Sequence, residues 1–344
     1  MNYWKSYLEE NPLGAEGLLK LADRAYRLGY EFMSDKDYDE IVGDEPVIDD
    51  NPSEDGIGID LNPPMLSQRK TYNASDIDLK GNLTASLKLD GFAVSLVYEC
   101  GVLSYATTRG DGNVGLTITN HILAGCLNVP LALRGEVASL NRFEVRGEMI
   151  IPARFGDEKH NPRSILVGLF GRKDLDGLTE YEPAFFGYDV VDGTRHHSYS
   201  LGLLHNLGFD VVPWVLVHNV AIQTAIDELT RIRSNFEYEA DGIVFRIDDP
   251  VSFYSKGSTR HHPKGSIAFK FSTDTAITTV QSIEWSKGEK TGKMTPIVHI
   301  EPVTLGGCEI SKLNGGTIGA SLQAGDRIQV TRKGGVIPVI LAKM

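Results

Sequence analysis

Cysteine is scarce in this chain: three in 344 residues, at positions 100, 126 and 308, with no C-x-x-C spacing. That excludes a disulfide-built scaffold and a four-cysteine zinc site, so no zinc is expected. It fits a reducing compartment such as the cytoplasm. Long apolar runs are missing too. No stretch approaches a membrane span and the acidic N-terminus is unlike a signal peptide, so no membrane partner is expected. Basic charge is short, with 34 Lys and Arg against 46 Asp and Glu and a net charge of −12. A protein that coats nucleic acid needs a broad basic surface, and that class is excluded. The deficit is uneven. Residues 281–344 hold eight basic and five acidic residues, a balance of +3, which leaves −15 on the remainder. A basic C-terminal segment on an acidic body is compatible with DNA contact at one face.

The chain is long for one domain, and its patterning divides it in three. Apolar residues at helical spacing over 14–30 (Leu18, Leu19, Leu21, Ala22, Ala25, Tyr26, Leu28) predict a helix. Ser34 can cap a second one over 35–42. Residues 43–64, rich in Pro, Asp and Gly, read as a linker. From residue 84 the pattern alternates. It predicts strands over 85–89, 92–98, 102–107, 144–151, 184–191, 211–217, 242–247 and 266–271, with helices over 116–124, 164–170, 200–207 and 220–234. Strands and helices without a strict βαβ rhythm imply an antiparallel α+β body. After about residue 275, short strands and Gly-rich turns predict a small β-barrel of the oligonucleotide-binding type. The expected division is 1–60 (helical module and linker), 61–274 (α+β body) and 275–344 (barrel).

The chemistry lies in the order of short motifs. K-L-D-G at 88–91 sits between two strand runs. R-G-D-G follows at 109–112, V-R-G-E at 145–148, F-F-G-Y at 185–188, D-G-I-V-F-R at 241–246 and I-A-F-K-F at 267–271. Alone, Lys-x-Asp-Gly is a common hairpin turn, and Arg-Gly-Asp-Gly a common surface turn. Six such motifs in one order are a different matter. A lysine amine attacks phosphorus only when neutral, and nearby cations or burial lower its pKa. Arg109, Arg246 and Lys270 are candidate cations, and they also suit neutralising a phosphate as charge builds on it. Asp90 can position the amine or a magnesium ion. Gly91 leaves room for a nucleotide. Glu148 and Asp241 suit recognition of ribose hydroxyls and organisation of metal or phosphate.

In order and spacing these motifs resemble those of the NAD-dependent DNA ligases, and the resemblance runs over essentially the whole chain. It is carried by K-L-D-G-F-A-V-S-L-V-Y-E-C-G-V-L from 88, T-R-G-D-G-N-V-G from 108, N-P-R at 161–163, T-P-I-V-H-I-E-P-V from 295 and R-K-G-G-V-I-P from 332. P-M-L-S at 64–67 resembles the start of that family's adenylation domain, and S-D-K-D-Y-D at 34–39 its nicotinamide-mononucleotide segment. The resemblance implies a helical NMN-recognition module, an adenylating nucleotidyltransferase domain and an oligonucleotide-binding barrel. It implies that Lys88 takes AMP from NAD, passes it to a 5′-phosphate at a nick in duplex DNA, and that a 3′-hydroxyl then displaces AMP, in DNA replication and repair. Lys88, Asp90, Arg109 and Lys270 become the expected catalytic residues. Tyr26, Asp35, Tyr38, Asp39, Ser67, Glu148, Asp241 and Arg246 become the expected cofactor-binding residues. Asp90 and Glu148 would hold magnesium, and Arg163, Lys290, Arg332 and Lys333 would touch DNA.

The chain departs from the family pattern at several points. Ser86 stands for a glutamate, Arg246 for a lysine, Gly265 for a tryptophan, Arg27 for a histidine and Gly335 for an aspartate. The family's zinc finger, helix-hairpin-helix region and terminal domain find no match in these 344 residues. The expectation is a truncated piece, a natural short form or one subunit of a split ligase whose partner polypeptide supplies the helix-hairpin-helix region. Two competitors remain: an ATP- or GTP-using RNA ligase or capping-type enzyme, and a non-catalytic interaction subunit with the same fold.

Overall fold

The structure is a computed structural model that describes residues 3–28, 30, 33–42, 55–157, 160–191, 194–218, 222–271, 275–287, 294–305, 308–333 and 337–344. It falls into two compact units, Met1–Gly156 with Pro162–Lys270, and Asp157–Asn161 with Phe271–Met344. Among the described residues no helix is long and apolar enough to cross a membrane.

In chain order the first unit begins with helices α1 (Tyr3–Glu10), α2 (Ala15–Arg27) and α3 (Asp35–Val42). Strands β1 (Gly58–Asp60), β2 (Lys70–Thr71), β3 (Leu83–Leu89), β4 (Phe92–Glu99), β5 (Val102–Thr108) and β6 (Val114–Leu116) follow. Then come α4 (Thr119–Gly125), β7 (Phe143–Ile150), α5 (Pro162–Phe170), β8 (Ala184–Val190), α6 (His197–Asn206), β9 (Asp210–Val211), β10 (Trp214–Val217), α7 (Ile222–Arg233), β11 (Ala240–Ile247), α8 (Pro250–Ser255) and β12 (Ser266–Lys270). One sheet has the order β10-β3-β11-β12-β2 and the other β5-β4-β7-β8-β9. Both are antiparallel except for one short parallel pair each, β12 with β2 and β8 with β9. This is the α+β body that the alternating pattern implies.

β3 passes directly into β4, so the chain crosses from one sheet to the other at Asp90–Gly91. Gly91 is required there, because a Cβ would overlap the Met149 carbonyl. The β4–β5 hairpin turns through Cys100 and Gly101 at φ 47° and 80°, the left-handed pair of a tight hairpin. The inward face of the second sheet (Val94, Leu96, Tyr98, Leu103, Val145, Met149, Phe185) forms one core. Tyr7, Leu18, Leu21 and Ala22 of α1 and α2 join it, so the N-terminal helices share the core of the body.

Two local expectations change. The stretch 43–64 holds β1, whose residues pair antiparallel with β6 (Gly58 with Leu116). That pairing pulls 114–116 into a strand, and α4 starts at Thr119 rather than 116. Likewise 211–217 divides into β9 and β10 around Val212–Pro213, since proline offers no ladder N–H.

The second unit contains β13 (Thr275–Lys287), β14 (Met294–Leu305), β15 (Cys308–Asn314), a short helix α9 (Gly316–Gly319), β16 (Arg327–Lys333) and β17 (Ile337–Lys343). They form one antiparallel sheet, β15-β14-β13-β16-β17. β13 pairs with β16 through residues 275–279 and with β14 from Val280 onward, with a bulge between Val280 and Ser282. The bulge bends the strand and curls the sheet into a half-barrel around Val280, Val298, Ile300, Ile310, Leu313, Ile328 and Val330.

Gly147 in β7 tests the packing. A Cβ there would overlap the Phe185 ring and the Phe186 carbonyl. Gly147→Ala should cost about 1–3 kcal/mol and lower the melting temperature of the unit by several degrees. A melting curve that superimposes on wild type would contradict this packing.

Candidate active site

The register of three strands builds the site. Lys88 of β3 lies opposite Gly242 of β11, and Gly242 lies opposite Lys270 of β12. Directly opposed residues share a face, so both lysines project from one side with only a glycine between them. A bulge between Ala240 and Gly242 releases Asp241 from the alternation. Its carboxylate reaches both amines. Oδ1 is 3.4 Å from Lys88 Nζ, and Oδ2 accepts a hydrogen bond from Lys270 Nζ. Oδ1 is buried and carries no hydrogen bond. The side chains of Lys88 and Lys270 retain 24% and 14% of their exposure, so both are reachable from solvent without being freely solvated.

The second sheet supplies the facing wall. Glu144, Arg146 and Glu148 alternate along β7 and share a face. Arg109, just past β5, donates its backbone N–H to Ala93 O at 2.9 Å, next to the Ala93–Glu148 pair. Asp90 accepts from Arg163 Nη1 at 3.0 Å. Glu148 feels the fields of Lys88, Arg163, Asp90 and Arg109 together, so these five residues form one cluster. Loss of hydration dominates there and raises the Glu148 carboxyl to about 7, against the pull of the three cations. Burial, then the lysine neighbour Lys88, hold the Lys270 amine below its ordinary value. Burial, and then Glu148, raise the Tyr188 phenol above its ordinary range.

Arg246 does not reach the lysine row. It lies opposite Thr84, four residues along β3 from Lys88. Its guanidinium donates to Asp189 Oδ2 at 2.6 Å and stacks 4.2 Å from the centroid of Phe253. The Phe253 ring fills the space that a side chain at Gly265 would need. The arginine and the glycine, both departures from the family pattern, thus meet on one aromatic ring. The Arg246–Asp189 pair also bridges the two sheets.

His197 bridges them a second time, between Thr84 Oγ1 at 2.6 Å and the Tyr188 carbonyl at 2.8 Å. The carbonyl requires a proton on Nε2, so Nδ1 accepts from the hydroxyl. Burial first, and Arg246 second, lower the ring to about 4 and keep it neutral. Asp189, His197 and Phe253 were not legible as site residues. Asp189 directly follows the F-F-G-Y motif, which was the available signal.

The remaining expectations scatter. Arg163, expected at DNA, joins the lysine cluster through Asp90. Ser67 is exposed, and its carbonyl accepts from His262 Nδ1 at 3.0 Å, with no contact to the lysine row among the described residues. Tyr26 is 69% exposed on α2, while Tyr38 packs partly buried against the core. The side chains of Asp35, Asp39, Arg332 and Lys333 and all of Lys290 lie outside the described residues.

Glu148 gives a pH test. Its carboxyl is raised in the fold from 4.5 to about 7, so the native state holds a proton that the unfolded chain has lost. The stability this proton lends is complete below about pH 4.5 and disappears as pH climbs through 7. Melting temperatures of wild type and Glu148→Gln should therefore diverge from pH 5 to 8, with the glutamine protein gaining by a few degrees. A difference that stays constant over that range would contradict the buried-carboxyl geometry.

Comparison with known proteins fits this geometry. The family model described as NAD-dependent DNA ligase adenylation domain matches residues 67–274, which contain all seven residues of the two facing clusters. The chain is 31% identical over 314 residues to a DNA ligase of Acinetobacter baumannii (strain AYE), covering 80% of this chain and 46% of that protein. It is 32% identical over 294 residues to a DNA ligase of Psychrobacter sp. (strain PRwf-1), covering 79% and 42%. The chain thus spans less than half the length of these curated relatives. A solved structure named Pmar-Lig_Pre is similar at 14% identity and a TM-score of 0.49, over 91% of this chain and 71% of that one. The family match spans 208 of the 344 residues (67 to 274), and with the lysine row at its centre the chain belongs to the NAD-dependent DNA ligase adenylation domain family.

Proposed function

We propose that Lys88 is the nucleophile of an NAD-dependent DNA ligase. The observation that carries this reading is the shared carboxylate, with Lys88 and Lys270 both paired with Asp241. The Lys88 amine attacks the α-phosphorus of NAD. A P–N bond forms, the bridging P–O bond breaks, and nicotinamide mononucleotide leaves with the electron pair. Asp241 Oδ1, buried and without a hydrogen bond, is the carboxylate oxygen in contact with the attacking amine and suits taking its proton. Lys270 and Arg109 suit the charge that develops on the phosphate. Asp90 holds Arg163 in the same cluster.

Magnesium keeps most of its waters and needs only one or two carboxylates beside substrate phosphates. Glu148 fits that donor set, being a half-buried carboxyl on the wall of the second sheet beside Lys88. Asp90 is already engaged by Arg163. When bound, the ion would neutralise phosphate charge. The AMP then passes to a 5′-phosphate at a nick in duplex DNA, and a 3′-hydroxyl displaces it. Tyr26 suits the nicotinamide half, since an exposed ring can stack on a cationic one. The free, separated Cys100 and Cys126 suit a reducing compartment, the cytoplasm.

Intact mass after incubation with NAD and magnesium tests the reading. The expected result is a gain of one AMP from NAD and none from ATP. Lys88→Arg should abolish the adduct, because a guanidinium does not give up its proton. Tyr26→Ala should slow adduct formation from NAD while leaving sealing of pre-adenylated nicks intact. An adduct that persists in Lys88→Arg would place the nucleophile elsewhere, and an adduct from ATP alone would favour the ATP-using relatives.

A further inference from the structure

Positive charge is scarce in this protein, about one Lys or Arg in ten residues (34 of 344). The segment 256–264, K-G-S-T-R-H-H-P-K, is an exception. It holds three basic residues, two histidines and no acid. Lys256, Arg260, His261 and Lys264 are all exposed. Among the described residues none of Lys256, Arg260 or Lys264 forms an ion pair. Asp249, the residue before α8, is taken up capping that helix, where its Oδ2 accepts from Ser252 N at 2.7 Å.

The segment is an ordered small hairpin. Lys264 N donates to Gly257 O at 2.9 Å and Thr259 N to His262 O at 2.8 Å, with Ser258 bridged to Pro263. Thr259 Oγ1 accepts from the N–H groups of His261 and His262. These bonds leave Arg260 and His261 at the tip. His262 Nδ1 ties the hairpin to the Ser67 carbonyl. That places it near Arg69 and Lys70, both exposed where the edge strand β2 begins, and Arg69 O, just before that strand, accepts from Ala268 N. Five cations thus collect at one edge of the first sheet.

The hairpin runs straight into β12, and β12 ends at Lys270. From Lys264 to Lys270 the chain covers six residues, about 20 Å of extended strand at ~3.3 Å each. In duplex DNA that is roughly six base pairs at 3.4 Å each. We propose that the hairpin 256–264, with Arg69 beside it, is a docking surface for the phosphate backbone of nicked duplex DNA, some six base pairs from the phosphate that reacts at Lys88. This rests on the ligase reading above. Rigid backbone and flexible cationic tips suit phosphate contacts, which position the duplex without reading its sequence.

Charged residues also guard exposed sheet edges against pairing with other chains, and the test separates that role from DNA binding. The variant is Lys256→Gln/Arg260→Gln/Lys264→Gln. Lys70 is left alone because its charge reaches Lys270. Binding of a nicked duplex oligonucleotide is followed by fluorescence anisotropy from about 20 to 200 mM salt. Substrates carry flanks of four or ten base pairs on each side of the nick in turn.

Wild type should bind the long flank more tightly than the short one on one side of the nick. In the variant that preference should vanish. Affinity at low salt should fall about tenfold or more, and the slope of log K against log salt should shrink by about 2–3, near 0.9 per lost phosphate contact. AMP loading from NAD should be unchanged. Affinity, slope and flank preference equal to wild type would overturn the proposal, and so would a variant that merely aggregates at its sheet edge or loses AMP loading as well. Failure of the ligase reading is seen separately, as wild type that takes no AMP from NAD.

Discussion

Two ammonium groups rest on one carboxylate, and the rest of the site is arranged around that contact. Lys88, Gly242 and Lys270 form a row across three strands, and the bulge at Asp241 turns an otherwise misdirected side chain into the row. The arrangement serves opposite needs at once. The carboxylate keeps two like charges side by side in a partly dehydrated cleft, where unpaired they would repel. It also leaves one oxygen without a hydrogen bond next to the Lys88 amine. Gly242 makes this possible, since a Cβ there would overlap the Phe269 carbonyl.

The cleft itself depends on holding two sheets face to face. Two polar bridges do this away from the lysine row: Arg246 with Asp189, and His197 between Thr84 and the Tyr188 carbonyl. Both are largely buried, and buried pairs are costly to form and more costly to break. Their value here is in fixing geometry. A third polar anchor lies on the same wall. The buried Arg146 donates to Glu144 and to the carbonyls of Pro63 and Pro64, which holds the segment before Met65 against the sheet. The wall therefore carries a polar network around Glu144 and Arg146 in place of an apolar face.

Much of this was legible in the sequence. β3 alternates apolar and polar residues from Leu83 to Leu89, β4 and β5 are rich in Val, Leu and aromatic residues, and K-L-D-G sits where the chain changes sheets. The motif order singled out both lysines, and the family model that matches residues 67–274 is that of the family the motifs resemble. What stayed hidden depends on contacts between distant residues. The pairing of β1 with β6 joins residues 54 to 58 positions apart (Asp60 with Val114, Gly58 with Leu116), so 58–60 reads as linker and the helix as starting at 116. A bulge leaves no mark on a sequence, so Asp241 reads as a ligand for ribose or metal rather than as the partner of both lysines. Arg246 reads as a phosphate cation. Its true neighbours, Asp189 and Phe253, come from other elements. Arg163 lies in a helix far along the chain from Asp90, and only the fold brings them together.

The central claim is that Asp241 governs the attack of Lys88, and single-turnover AMP transfer from NAD to Asp241→Asn tests it most directly. The asparagine keeps the size of the side chain and removes the charge that both amines share. If the account is right, the variant melts close to wild type and still binds NAD, but its rate of Lys88 adenylation falls by about 10²-fold or more. A folded Asp241→Asn protein that loads AMP at the wild-type rate across the pH range would contradict it.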